Sequence, residues 1–256
     1  MRFDAIPAYE ASLFAGLNKG DANGRKFLIS ENLIPIANEP PMTLHRLRLA
    51  DGSKPFYERL DAFPKQRIVL HWTMGWLKGD IQTLTPPSGP RVSVPFVIAR
   101  NGKIVQLFDS AHWASHIGSK TMDPGISQTS IGIELSNIGP LTLSPDGAKL
   151  LTWTKEEYCK VAETSAYIKL DTPYRDRRYY ASFPDAQIEA TAQLLRFLTT
   201  RYNIPRKFLP EANRYSKLTD KQCLAFRGIF SHVNSRADKK DIGPAFPWQK
   251  LIQLVG

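Results

Sequence analysis

The 256-residue sequence predicts a single α/β domain, with a central mixed β-sheet flanked by helices. Two observations favour this class. Short β-branched and aromatic runs alternate with segments of helical periodicity, and the composition is 42% hydrophobic and 11% aromatic, which is too apolar for a disordered chain. We predict an N-terminal extension over residues 1–65, packed on the core, and a main domain over residues 66–256 with an insertion at about 140–181.

The first half of the chain predicts a strand-rich core after a loop-rich start. Residues 1–64 are punctuated by prolines and predict loops and short helices. Residues 67–73 predict a strand, and residues 74–84 a helix. Residues 92–99 and 103–108 predict two strands joined by a type I′ turn at Asn101-Gly102, where both turn positions would have positive φ. Residues 130–135 predict a further strand.

The second half predicts mainly helices. Residues 153–169 favour a helix within a polar, tyrosine-rich segment. Ser182 is the predicted N-cap of a long helix, with Pro184 in its first turn and Pro205 beyond its end. Residues 226–231 predict a strand that ends before His232, and a terminal helix follows Trp248. This interleaving of strands and helices is what predicts one mixed sheet.

Charge and cysteine content exclude several classes. The chain has 34 Lys and Arg against 24 Asp and Glu, a net charge of +10, which favours binding to a polyanion such as nucleic acid or an anionic cell wall. No nucleic-acid-binding signature is present, so we expect no nucleic acid partner. Cys159 and Cys223 lie in no CxxC pattern, which excludes a disulfide scaffold and a thiolate zinc site. We predict two buried free thiols, with a single pairing as the alternative.

Targeting signals give a limited prediction. No run of 18 apolar residues is present, so we expect no membrane span. The N-terminus lacks the apolar region of a Sec signal peptide. The expectation is a cytoplasmic protein, or one delivered to the periplasm or cell wall by a signal-independent route.

Two histidines at strand ends are candidate metal ligands. His71 and His232 each follow a predicted β-rich run, and Asp241 lies nine residues after His232. Two neutral imidazoles and one carboxylate suffice for a catalytic zinc site with a fourth position left for water. The alternative is that both histidines are structural.

Four blocks in order resemble the zinc-dependent N-acetylmuramoyl-L-alanine amidases of the peptidoglycan-recognition-protein and T7-lysozyme type, the amidase type 2 family. The blocks are residues 68–73, residues 92–98 with 101–104, residues 130–135 (SIGIEL), and His232 with residues 239–248. The resemblance covers residues 66–138 and 182–254, and it implies the fold of that family.

The resemblance also implies roles for six residues. His71, His232 and Asp241 would bind Zn²⁺, Glu134 would act as general base, and Lys239 would stabilise the oxyanion. His116 would line the substrate groove. The alternatives are an exposed Glu134, a solvated Lys239, a turn-starting Asp241 and a surface His116. Relatives often carry Tyr or His where this chain has Val94, which would place the catalytic burden on Glu134.

The implied function is hydrolysis of the amide bond between N-acetylmuramic acid and L-alanine in peptidoglycan. The high positive charge favours a wall-lytic enzyme, and a secreted effector of this kind would need an immunity protein. The alternatives are a cytoplasmic recycling amidase acting on soluble anhydro-muropeptides, and a non-catalytic peptidoglycan-binding module on the same fold.

Two interpretations are open for an aromatic and basic cluster in the insertion. It would either extend the groove for glycan or stem peptide, or form a solvated cover with its aromatic rings packed on the core. Its members are Trp153, Tyr167, Tyr174, Arg175, Arg177, Arg178, Tyr179 and Tyr180.

Overall fold

The computed structural model of the protein describes residues 1–16 and 27–256. Within these ranges the strands are β1 (Phe27–Ile36), β2 (Glu39–Leu49), β3 (Arg67–Trp72), β4 (Phe96–Ile98), β5 (Ile104–Gln106), β6 (Ser130–Leu135), β7 (Pro140–Leu143), β8 (Lys149–Leu151), β9 (Glu157–Lys160), β10 (Tyr167–Tyr174), β11 (Arg177–Ala181) and β12 (Gly228–Ser231). The α-helices are α1 (Ile6–Gly16), α2 (Leu77–Leu84), α3 (Gly125–Gln128), α4 (Asp185–Arg201), α5 (Glu211–Arg214), α6 (Asp220–Ala225) and α7 (Trp248–Val255).

A seven-stranded mixed sheet forms the centre, in the order β1-β2-β5-β4-β6-β3-β12. β3 runs parallel to both of its neighbours, β6 and β12, while β1–β2 and β4–β5 are antiparallel pairs. All six residues of β3 are buried, as expected for a parallel strand covered on both faces. The predicted α/β class with a central mixed sheet is confirmed.

The alternation of β3 side chains places one face of the strand against the helices and the other against the functional region. Ile68 and Leu70 pack in the core with α4 and α7, whereas Val69 packs on the opposite face with Ile117 and Ile126. Because successive side chains point to opposite faces, His71 lies on the Val69 face.

The prediction of loops and short helices for residues 1–64 is wrong in part. Helix α1 is followed, after the undescribed stretch, by two long strands, and β2 pairs with β5 and so extends the central sheet. Pro40 and Pro41 lie at the hairpin end of β2, at the margin of the sheet, where a missing N–H donor is tolerated. The division into an extension and a main domain stays a prediction.

The helix predicted over residues 153–169 is wrong. β9 and the start of β10 occupy this stretch within a second, five-stranded sheet of order β10-β11-β7-β8-β9. The chain turns at Lys155, which has a φ of 64°, and Tyr158 and Cys159 of β9 are buried in an apolar cluster with Leu141 and Leu150 of the neighbouring strands. Frequent turns make the strands too short for a clear period-two signal.

Three local predictions are corrected or confirmed. Gly102 has a φ of 84° but Asn101 is not in the positive region, so the hairpin turn is not type I′. Ser182 is not an N-cap, because α4 begins at Asp185 without a side-chain cap. Cys159 and Cys223 are both buried and free, as predicted.

Within residues 1–16 and 27–256, no helix has the length and apolarity needed to cross a membrane.

Candidate metal centre

Neighbouring parallel strands bring the two candidate histidines together. His71 is the fifth residue of β3, and His232 directly follows β12, which pairs with β3. Parallel strands end at the same edge of a sheet, so residues 161 positions apart meet there. The loop that carries Asp241 is attached beside His232, since the Val233 amide donates to the Asp241 carbonyl at 2.6 Å.

Three donor atoms converge at this edge. The Nδ1 atoms of His71 and His232 lie 3.0 Å apart, and Oδ2 of Asp241 lies 3.0 Å from Nδ1 of His232 and 3.4 Å from Nδ1 of His71. Ligand atoms about 2.0–2.1 Å from a tetrahedral Zn²⁺ would be separated by roughly 3.3 Å. All three side chains are buried, and their spacing fits one small divalent cation.

Hydrogen bonds on the far side of the His71 ring determine its tautomer. The Ser130 hydroxyl donates to the Ile126 carbonyl at 2.6 Å, so its oxygen accepts the proton on Nε2 of His116 at 2.8 Å. Nδ1 of His116 then accepts from Nε2–H of His71 at 3.0 Å. The carbonyl at the end of this chain can only accept, which leaves Nδ1 of His71 with a lone pair.

A single hydrogen bond gives His232 the same tautomer, with a lone pair on Nδ1. Its Nε2–H donates to the Ile117 carbonyl at 3.0 Å, so its Nδ1 also carries a lone pair. Two nitrogen lone pairs and one carboxylate oxygen therefore face each other with no proton between them. A cation bound between these atoms would remove the repulsion among their lone pairs, and for this reason the three residues fit a metal ion.

Burial keeps the imidazoles of His71 and His116 neutral. It lowers the pKa of His71 to about 4, with the neighbouring His232 acting in the same direction. It also lowers the pKa of His116 far below its ordinary value. Neutral imidazole is the form that binds a metal ion.

Glu134 lies beside this group on the adjacent strand. It is paired with His71 in the β3–β6 register, and its Oε2 atom is buried without a hydrogen-bond partner among the described residues. Burial raises the pKa of the Glu134 carboxyl well above its ordinary value, the charges of Asp241 and Asp80 add to this, and Lys239 opposes it. An unpartnered carboxylate oxygen at this place is free to exchange a proton with a bound molecule.

Gly132 makes room for the histidine chain. A Cβ atom at this position would meet Cγ1 of Val94 at 2.5 Å and Nδ1 of His116 at 3.1 Å. The absence of a side chain therefore lets His116 cross β6 and reach His71. Sequence reasoning missed both Gly132 and Ser130, although both lie within the SIGIEL block that carried the resemblance.

A cavity of about 560 Å³ opens over the group, and all six predicted site residues line it: His71, His116, Glu134, His232, Lys239 and Asp241. Lys240 adds positive charge to one wall, in which Arg236 is paired with Asp238 at 2.6 Å. Both ring nitrogens of His116 are bonded within the protein, and its predicted contact with substrate stays a prediction.

The insertion borders this cavity at two points. On one side, the Tyr174 ring packs over Gly243, where a Cβ atom would lie 2.6 Å from the ring, and the Arg175 guanidinium donates to the Ala237 carbonyl. On the other side, the Trp153 indole donates to the Met74 carbonyl at 2.8 Å. Tyr180 is buried in the core, whereas Trp153 is 63% exposed. A role of the aromatic and basic cluster in extending the groove stays a prediction.

The family described as N-acetylmuramoyl-L-alanine amidase (Amidase_2) matches residues 62–244, and the chain belongs to this family. The curated relative AmiD of Escherichia coli K12, an N-acetylmuramoyl-L-alanine amidase, is 30% identical over 200 residues, which are 75% of this chain and 54% of AmiD. The chain thus spans about half the length of that relative. The resemblance inferred from the four sequence blocks is confirmed.

Two solved structures are similar to this chain at low identity. One is E. coli AmiD in complex with the substrate anhydro-N-acetylmuramic acid-L-Ala-D-γ-Glu-L-Lys, which is 20% identical, with a TM-score of 0.48 over 87% of this chain and 65% of AmiD. The other is AmpDh3 from Pseudomonas aeruginosa in complex with anhydromuramic pentapeptide, which is 18% identical, with a TM-score of 0.45 over 76% of this chain and 61% of AmpDh3.

Proposed function

We propose that the protein is a zinc-dependent amidase that hydrolyses the bond between N-acetylmuramic acid and L-alanine in peptidoglycan. The observation that carries this proposal is the convergence of three lone-pair donors, from His71, His232 and Asp241, beside the unpartnered carboxylate of Glu134. Membership of the amidase family and the name of the relative AmiD support the same activity.

In this proposal the three converging side chains hold Zn²⁺, which when bound polarises a carbonyl and lowers the pKa of a water molecule. His116 is a positioning residue, because it holds His71 in the tautomer that presents Nδ1. Neutral imidazoles and a carboxylate are a donor set that suits this ion.

Glu134 and Lys239 carry the proton transfer and the charge in this proposal. Glu134 accepts a proton from the attacking water and returns it to the leaving amine, for which a carboxyl group in the cavity wall with an unpartnered Oε2 is suited. Lys239 lies in the wall of the same cavity and stabilises negative charge on the scissile carbonyl oxygen. Amide hydrolysis needs each of these contributions.

The proposed substrate is polymeric wall. The net charge of +10 favours adsorption to a polymer that carries many fixed carboxylates. A soluble anhydro-muropeptide gains less from this long-range attraction. The alternative, a recycling amidase, would act faster on the soluble muropeptide.

Purified protein tests the proposal directly. We expect it to release stem peptides with a free L-alanine amine from sacculi, to lose this activity in a chelator, and to regain it with Zn²⁺ but not with Mg²⁺. Rates on intact sacculi and on anhydro-muropeptides distinguish the two substrates. Muropeptide binding without cleavage by zinc-loaded protein would contradict the proposal and favour a binding module.

A further inference from the structure

A second cavity adjoins the one over the metal centre. Its volume is about 530 Å³, and Thr73 and Met74 lie in the walls of both cavities. Its size is in the range of roughly 300–1,000 Å³ that is typical of small-molecule sites. A ligand bound over the metal centre could therefore extend into it. We call it the Trp153 cavity, and its remaining walls are Tyr9, Gly75, Trp76, Lys78, Gly79, Asp80, Gln82, Thr83 and Trp153.

The indole ring of Trp153 is fixed by a hydrogen bond at one edge, and its face remains exposed to solvent. The indole N–H donates to the carbonyl of Met74 at 2.8 Å, which fixes the ring beside the cavity. The side chain is nonetheless 63% exposed, and no aromatic or cationic group among the described residues packs on it. A large exposed ring fixed at the mouth of a cavity favours a binding platform.

The charges of the two cavities differ. The wall over the metal centre carries Lys239 and Lys240, which suit the carboxylates of a stem peptide, whereas Arg236 in the same wall is paired with Asp238 at 2.6 Å. The Trp153 cavity carries one cation, Lys78, and one buried carboxylic group, Asp80. A ligand there gains little from net charge, which favours a neutral polar molecule.

A hydroxyl donor also faces the Trp153 cavity. The Tyr9 hydroxyl lines it and accepts a hydrogen bond from the Lys78 amide at 3.1 Å. Its own proton has no acceptor among residues 1–16 and 27–256 and can be donated to a ligand. An aromatic face beside a hydrogen-bonding hydroxyl group suits a sugar ring, because a sugar has an apolar C–H face and hydroxyl groups at its edges.

We propose that the Trp153 cavity binds an N-acetylhexosamine ring of the glycan strand, with the ring stacked on Trp153. This inference rests on the proposed function, because the scissile amide joins a sugar to a peptide. The peptide then extends along the cationic wall, and the sugar extends past Met74 towards Trp153. The insertion at 140–181 thereby contributes to recognition of the polymer.

Glycan binding can be measured without catalysis. The probe is peptide-free glycan strands of alternating N-acetylglucosamine and N-acetylmuramic acid, titrated onto the full chain carrying Glu134→Gln. In this background we expect Trp153→Ala to weaken binding about tenfold, and Trp153→Phe, which keeps a ring but loses the hydrogen bond, to weaken it about threefold or less. Phe56→Ala removes another exposed aromatic ring, outside both cavities, and should leave binding unchanged.

Several results would overturn the inference. The first is unchanged glycan binding in Trp153→Ala, and the second is an equal loss of glycan binding in Trp153→Ala and Trp153→Phe. The third is a Trp153→Ala variant that binds free stem tripeptide more weakly but binds glycan normally. Normal cleavage of muropeptides together with any of these results would leave the proposed function intact. Conversely, Trp153-dependent glycan binding by a protein that cleaves no muropeptide would contradict the proposed function alone.

Discussion

Nε2 of His71 and Nδ1 of His116 lie 3.0 Å apart, and this contact sets which nitrogen of His71 faces Asp241 and His232. The far end of the chain is the Ile126 carbonyl, reached through Ser130. The metal centre is therefore supported from beneath by a segment that contributes no ligand to it.

We predict that His116→Ala weakens Zn²⁺ binding about 10- to 100-fold, because His71 loses the acceptor that fixes its tautomer. Competition with a chromogenic chelator measures the affinity independently of activity. His112→Ala is the matched control, since His112 is bonded to Glu58 and lies outside the cavity wall. Equal Zn²⁺ affinities in the two variants would contradict the positioning role.

Glu134→Gln should separate metal binding from turnover. We expect Zn²⁺ content to be retained, since Glu134 is not one of the three converging donors, and kcat to fall about 10²- to 10⁴-fold because the proton acceptor is lost. Metal analysis and single-turnover assays measure the two effects. The control is Glu189→Gln, at an exposed position on α4. Loss of metal from Glu134→Gln would refute its assignment as a base outside the ligand set.

Gly132→Ala should destabilise the fold and the metal centre together. The added methyl group would overlap Val94 and press on His116, with a cost of about 1–3 kcal/mol in the free energy of unfolding. Gly79→Ala is the opposite control, because nothing lies within 4 Å of its Cβ position on helix α2, and we expect it to be neutral or stabilising. Denaturant unfolding with and without Zn²⁺ measures both variants, and a stable Gly132→Ala with full Zn²⁺ affinity would exclude the proposed clash.

Asp80 should produce a pH dependence of stability that needs no metal. Burial raises its pKa to about 6, against the effect of the Ser136 hydroxyl that donates to it at 2.6 Å. The folded state therefore binds the proton more tightly than the unfolded state. The resulting stabilisation is fully present below about pH 4 and is lost as the pH rises through about 6.

Asp80→Asn should remove the part of the pH-dependent loss of unfolding free energy that Asp80 causes, up to about 3 kcal/mol. The reason is that an amide does not ionise, while its oxygen still accepts the hydrogen bond from Ser136. Unfolding in a chelator between pH 4 and 7 isolates the effect from metal release. Asp171→Asn, at an exposed position, is the control. A parallel decline for Asp80→Asn and the unmodified chain would show that another group is responsible.

The part of the fold that the sequence predicts well is the part with strong local signals. β3 and β6 are short, largely apolar runs that are almost wholly buried, whereas the parallel pairing that sets His71 beside Glu134 is given only by the three-dimensional structure. The sequence predicts a helix over residues 153–169 in place of β9 and the start of β10, because β8 and β9 are only three and four residues long and a turn at Lys155 separates them. Short strands give too few alternations to identify them.

The six site residues predicted from the sequence line one cavity, and their roles stay predictions, but the residues that support them were not predicted. Alternation in SIGIEL indicates that Glu134 points away from Ile133, yet nothing local shows that Gly132 leaves space for His116. That relationship arises only when residues 116 and 132 meet in three dimensions. The same holds for Trp153, whose exposure depends on where the second sheet packs.

The fit of the Tyr174 ring over Gly243 has an evolutionary consequence. A side chain at position 243 would collide with that ring, so the hairpin of the insertion and the segment after Asp241 constrain each other's sequence. A chimaera that received this hairpin alone, with a larger residue at 243, would have to displace either the ring or the loop. Gain or loss of the insertion within a lineage should therefore coincide with changes at this glycine.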